Sequence, residues 1–181
     1  MGNTLSRMGV VAVVTALLGA CSMFGTQKEP VAVAKPAAPK DPWQAIKTEL
    51  ASGASGSSLS VSPQDDGSLK VNLPADASFD KGSSAIKVAT QPSLYQLSQC
   101  LNRHQDIRLR LVGYSDNSGD ADFNVALSKN RARSVSEYLT AHGVDPARLT
   151  VDGRGDADPV DDNSSPAGRA RNRRVEIFLT Q

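Results

Sequence analysis

The chain alternates apolar and polar residues in short runs and spaces apolar ones three or four apart in two longer runs. Ile107, Leu109 and Leu111 alternate with Arg108 and Arg110, which predicts a strand over 107–114 with one apolar and one solvated face. At about 100° per residue, Val125, Leu127, Ala132, Val135 and Leu139 form one stripe. That predicts a helix from Asp120 or Asp122 to His142, stopped by Gly143. Leu94, Leu97 and Leu101 mark a second helix over 88–103, which admits Pro92 because it lies in the first turn. Further strands are expected at 149–153 and at 173–180, where Val175, Ile177 and Leu179 alternate, with a polar loop over 156–171 between them.

Upstream, 59–61 and 69–73 alternate about Asp65-Asp66-Gly67, a hairpin signal. Asp41-Pro42 reads as a helix N-cap followed by proline at the first helical position, and Trp43, Ile46 and Leu50 share one face of the short helix it opens. That face is expected to dock on the domain, and 53–58 to break the chain after it. Strand, helix, strand, helix, strand, strand gives an α+β two-layer sandwich with both main helices on one face, plus the short extra N-terminal helix and hairpin.

The first twenty residues carry an apolar run, 8–20, behind Arg7. It is short for a membrane span and fits a signal-peptide core. Pro30, Pro36 and Pro39 among alanines, valines and lysines then make an extended tether. About twenty residues at roughly 3 Å each reach some ~60 Å. The expected division is a signal peptide over 1–20, a tether over 21–40, a short helix and break over 41–56, and the domain over 57–181.

Charge and composition narrow the chemistry. Twenty basic and nineteen acidic residues nearly cancel, and aromatics are 4% of the chain, so neither a nucleic-acid footprint nor a base-stacking platform is present. Of the two cysteines, Cys100 lies beside the Leu94–Leu97–Leu101 stripe and is expected to be a small core residue. No C-x-x-C exists, nor any cluster of cysteines and histidines at metal-ligand spacing, so neither metal nor cofactor is expected. His104 and His142 lie near helix C-termini. Asp116, Asp120 and Asp122 lack the sixth-position glycine of a calcium loop, and Leu127 stands where the closing glutamate would be. Ser128 has no base at helical reach, so catalysis is not expected.

One pair of charges stands out. Arg131 falls at the edge of the apolar stripe, where its stem packs and its head points along a crevice, whereas Arg133 is turned to water. Asp116 sits where the strand's carboxyl end meets the helix amino end, whose dipole and free N–H groups favour an ionised carboxyl. A fixed cation and anion facing one cavity match a zwitterion, such as an amino acid's ammonium and carboxylate.

The spacing S-D-x-x-G-x(4)-N-x(2)-L-S-x(2)-R-A-x(2)-V from Ser115, followed by G-R-x(2)-N-R-R-V-E from Gly168, resembles the signature of the OmpA-like, peptidoglycan-associated domain family. F-D-K-G-S at 79–83 is similar to that family's step between first strand and first helix. The resemblance covers about 69–179 and implies the βαβαββ fold. It also implies a ligand, the free end of meso-diaminopimelate in the peptidoglycan stem peptide, with Asp116 taking the ammonium and Arg131 the carboxylate. Asn124 falls on the motif, and Ser115, Leu127, Phe79, Asp80 and Arg173 would line the pocket; Ser115 replaces the commoner threonine but keeps the hydroxyl. Leu18-Gly19-Ala20-Cys21 is similar to a bacterial lipobox, which implies diacylglycerol on the Cys21 sulfur, and Ser22 resembles the outer-membrane sorting class. The implied molecule is an outer-membrane lipoprotein facing the periplasm that holds the wall without catalysis. The second reading is a scaffold subunit of an envelope machine, Tol–Pal-like or secretory, whose protein partner docks on the tether or the Trp43 helix.

Overall fold

The computed structural model describes residues 43–52 and 59–181. The signal peptide, Cys21, the tether, the Asp41-Pro42 cap and the break at 53–58 lie outside the described residues.

Helix α1, Gln44–Ser52, buries Ile46 and Leu50 together with Trp43 just before it, and packs against helix α3, Gln91–Arg103. The Trp43 indole N–H donates to the Gly67 carbonyl at 2.7 Å, which ties the helix entrance to the turn of the hairpin. That hairpin is β1, Ser60–Pro63, paired antiparallel with β2, Leu69–Pro74, and its turn closes through Gly67 at φ 80°. Gly67 takes the left-handed conformation that other residues resist.

β2 runs into a single helical turn, α2, Ala75–Ser78. A tight turn at Val88–Thr90 then leads into α3 with Pro92 in its first turn. β3 spans Arg108–Tyr114, α4 Ala121–Ala141, β4 Leu149–Gly153, α5 Pro166–Asn172 and β5 Arg174–Thr180. The sheet order is β1-β2-β5-β3-β4. β5 is central and antiparallel to both neighbours, while β3 and β4 run parallel and so need the α4 crossover.

Register explains the core. Leu69, Val71 and Leu73 lie opposite Leu179, Ile177 and Val175, and Leu109 and Leu111 oppose Leu179 and Ile177, so all face the same side. Leu94, Leu97 and Leu101 of α3 and Ala132, Val135 and Leu139 of α4 close over that face as one cluster. This is the two-layer α+β sandwich that the periodicity predicts. Cys100 is buried in it.

The structure departs from the sequence expectation in several places. The stretch 156–171 contains helix α5, opened by Pro166 and capped by the Ser165 hydroxyl, which accepts from the Gly168 N–H at 2.9 Å. Its seven residues carry no apolar stripe, so no periodicity announces it; the last strand accordingly starts at Arg174, with Arg173 as the helix cap. Val125 is 41% exposed, and Asn124 and Ser128 are buried in the first turns of α4 instead. Finally, the outer face of β3 is solvated only along its first half. Arg108 and Arg110 are exposed, but Val112 and Tyr114 are buried, and the Arg174 guanidinium lies 3.8 Å from the Tyr114 ring centroid.

α4 approaches β3 backbone to backbone. A Cβ on Gly113 would stand 1.9 Å from the Ser128 carbonyl oxygen, so only glycine fits there. Gly113→Ala is therefore expected to lower the unfolding free energy by about 1–3 kcal/mol or more through overpacking. Chemical denaturation should show the loss as a lower midpoint at unchanged slope; an unshifted midpoint would contradict the close approach.

Candidate functional site

The carboxyl end of β3, the amino half of α4, the segment after α2 and the cap of α5 enclose a cavity of about 660 Å³. Ser115, Asp116, Asn124, Leu127, Arg131, Arg173, Phe79 and Asp80 all line it. Residues far apart in sequence thus converge because β3 and β5 are neighbours and α4 lies over them.

Each wall has a local cause. The loop after β3 is shaped by Asn124, whose amide donates to the Ser118 carbonyl at 2.8 Å and the Asp116 carbonyl at 3.3 Å. The Ser115 hydroxyl donates to the Asn124 amide oxygen at 3.2 Å. Asp116 is thereby held at the cavity with 6% exposure. Its carboxylate accepts from the Ser118 N–H at 2.8 Å and from the Arg173 guanidinium. The amino end of α4 plays a different part from the one the sequence suggests. It is capped by Asp120, which accepts from the Phe123 N–H at 2.7 Å, and Asp116 finds its donors in the loop and in Arg173.

Arg173 is the hinge of the site. Besides Asp116 it grips Asp76 of α2 through two bonds, Nε to Oδ1 at 2.8 Å and a second guanidinium nitrogen to Oδ2. Such a fork matches a carboxylate in both geometry and charge. Sequence reasoning missed Asp76. Its one signal is an acidic residue in the first turn after Pro74, which helix capping alone would explain.

Arg131 is different. It is 4% exposed and forms no ion pair with a carboxylate among the described residues. Its Nε donates to the Ser83 carbonyl at 2.9 Å, and its guanidinium carbon stands 5.5 Å from the Phe79 ring centroid. Phe79, 2% exposed, is thus a floor under the cation. Leu127 is half-buried on the same side. Asp80 reaches from the exposed rim, 3.7 Å from Lys87, while Phe123, 57% exposed, stands at the mouth. Arg169 and Arg171 anchor loops, Arg169 to the Asn163 carbonyl at 2.8 Å and Arg171 to the Asp161 carboxylate; Arg169 also borders the cavity.

The charges are set by these contacts. Burial lowers the Arg131 pKa from its ordinary value, with Arg173 adding to that and Asp76 and Asp116 opposing it. Burial pushes Asp116 up, but the bonds from Arg173 and Ser118 outweigh it and the carboxyl ends below its usual range. The Arg173 hydrogen bond likewise holds Asp76 low, against partial burial. Within the cavity, Asp76 and Asp116 thus share Arg173, whereas Arg131 pairs with no carboxylate among the described residues.

The OmpA family pattern matches residues 78–173, more than half of the chain. The chain belongs to the OmpA family. It is 36% identical over 125 residues to the probable lipoprotein YiaD of Escherichia coli, an alignment covering 69% of this chain and 57% of that relative. It is 36% identical over 101 residues to the peptidoglycan-binding protein ArfA of Mycobacterium tuberculosis, covering 56% of this chain and 31% of ArfA. The chain thus spans little more than half the length of YiaD and about a third of ArfA. Among solved structures, the cell wall anchor of the T6SS from Pseudomonas aeruginosa superposes with a TM-score of 0.65 at 33% identity, covering 74% of this chain and 95% of that one. The matched span begins at Ser78 and ends at Arg173, so it brackets the cavity but leaves out Asp76.

Acid tests this charge network. Asp76 and Asp116 are held below their unfolded values, so their contribution is complete above the unfolded pKa of about 3.9 and is lost as pH falls through the folded values. Melting temperature is expected to drop below about pH 4, and Arg173→Met should flatten that part of the profile. An identical acid limb in the variant would show that Arg173 does not hold these carboxylates.

Proposed function

We propose that this OmpA-family chain binds peptidoglycan non-covalently by the free end of meso-diaminopimelate in the stem peptide. The observation that carries this reading is Arg131, a buried guanidinium at a cavity wall with no carboxylate partner among the described residues. An entering carboxylate supplies the missing anion and can accept two parallel bonds from the guanidinium. The ligand's ammonium takes Asp116, whose carboxylate keeps its Ser118 and Arg173 contacts. The name of ArfA supports the polymer, and the name of the T6SS anchor supports a role at the cell wall.

Charge-assisted hydrogen bonds contribute roughly 1.5–3 kcal/mol each, so one site gives weak to moderate affinity after the costs of binding. A lipid on Cys21 and the proline-rich tether over 21–40 would hold the domain near the wall at high effective concentration. On this reading the chain is an outer-membrane lipoprotein that faces the periplasm and fastens membrane to wall. The likeness to the T6SS anchor favours a second role, wall attachment on behalf of an envelope machine. In that case the apolar face of α1 is not the docking surface, because Trp43, Ile46 and Leu50 are buried on the domain itself.

Asp116→Ala and Arg131→Ala are expected to abolish co-sedimentation with diaminopimelate-type peptidoglycan while circular dichroism stays unchanged. A wall with lysine in place of diaminopimelate lacks the side-chain carboxylate and should retain little protein. Full retention by both folded variants, or equal retention on both walls, would rule the reading out.

A further inference from the structure

Far from this cavity, α1 and α3 bring three donor side chains of different elements to one place. Cys100 and His104 stand four residues apart on one side of α3, His104 being its C-cap, and Glu49 reaches across from α1. The thiol sulfur, an imidazole nitrogen and a carboxylate oxygen all lie within 4.8 Å of one another. The linear sequence shows only the Cys100–His104 pair, because the glutamate arrives from a helix about fifty residues upstream.

We propose that Glu49, Cys100 and His104 form a binding site for a borderline divalent transition metal such as zinc, which fastens α1 to α3. The donor set argues for that class. Sulfur and imidazole nitrogen suit zinc and its neighbours, whereas calcium and magnesium require oxygen ligands. Geometry agrees. Zinc bonds of roughly 2.0–2.3 Å in a tetrahedron set donors roughly 3.3–3.8 Å apart. The His104 Nε2 to Glu49 Oε1 distance is already 3.7 Å, so closing the set asks for a small inward shift.

A second observation points to a ligand. The Nε2 atom of His104 is shut off from solvent and has no hydrogen-bond partner. Glu49 Oε1, at 3.7 Å, is beyond hydrogen-bond reach, so the buried imidazole nitrogen is left without a hydrogen bond, which is costly, and a metal ion would satisfy it. The other oxygen of Glu49 is already fixed, accepting from Arg103 at 2.7 Å. That outer contact orients the carboxylate as partners of metal-bound carboxylates do. Three protein donors leave one tetrahedral position for water.

Loading is an exchange without redox change. The S–H bond of Cys100 breaks, a sulfur–metal bond forms, and one proton leaves to solvent. Without metal the thiol stays protonated, since burial and the Glu49 carboxylate push it up to about 12. The consequence is mechanical. α1 lies immediately before the domain, so a metal at its contact with α3 would stiffen the entry of the chain into it.

The test uses the full chain carrying Cys21→Ser, which leaves Cys100 as the single thiol. Cobalt(II) is expected to give a near-ultraviolet thiolate-to-cobalt charge-transfer band that stoichiometric zinc abolishes, and zinc should raise the melting temperature. Glu49→Gln and His104→Gln, at half-buried positions, should each weaken zinc binding by about tenfold or more. Adding Cys100→Ser should remove the band. Absence of a charge-transfer band, its persistence after Cys100→Ser, or unchanged zinc affinity in both glutamine variants would overturn the proposal. Each of these outcomes is independent of peptidoglycan binding.

Discussion

A guanidinium sealed from water needs counter-charge, and at Arg131 the fold supplies it only at a distance. Asp76 and Asp116 attract it through space, but both carboxylates are bonded to Arg173. The near contacts of Arg131 are a carbonyl oxygen at Ser83 and the Phe79 ring. Burying such a group with incomplete pairing costs stability, so the surrounding packing has to hold it in place. That packing is the α4 stripe: Ala132 and Val135 beside it are fully buried, and the close passage of α4 over Gly113 sets the helix height.

Arg173 makes the arrangement possible. By holding Asp76 and Asp116 at once, it draws α2, the β3–α4 loop and the end of α5 around one hollow and keeps the two acids from pairing with Arg131. The chain order explains how it gets there. Arg173 caps α5 immediately before β5, the central strand, which is antiparallel to both the strand before Asp76 and the strand before Asp116. Tyr114 opposite Arg174, and Pro74 opposite Arg174 on the other side, place all three charged groups at the same end of the sheet.

Much of this was legible beforehand. Alternation revealed β2, β3 and β5, and helical spacing revealed α3 and α4, because each of those elements turns an apolar face to the shared core. Motif spacing picked out residues that the fold does bring to one cavity, Ser115, Asn124 and Leu127 among them. What escaped reading has physical reasons. α5 is short and carries loop-anchoring arginines instead of an apolar stripe, and in the first turn of α4 it is Asn124, bonding the Asp116 and Ser118 carbonyls, that is buried while Val125 is exposed. Asp76 and the Glu49–Cys100–His104 cluster depend on elements meeting in space, which no local pattern encodes.

The central claim is that Arg131 awaits a carboxylate from outside the protein. Nitrogen-15 NMR of the arginine Nε–H groups, assigned by single Arg→Lys variants, reads this directly during titration with free meso-diaminopimelate. The account predicts a saturable shift of the Arg131 Nε resonance, with a companion shift at Arg173 as the ammonium reaches Asp116. An Arg131 resonance that stays in place to saturating ligand, while the protein is folded, would contradict it.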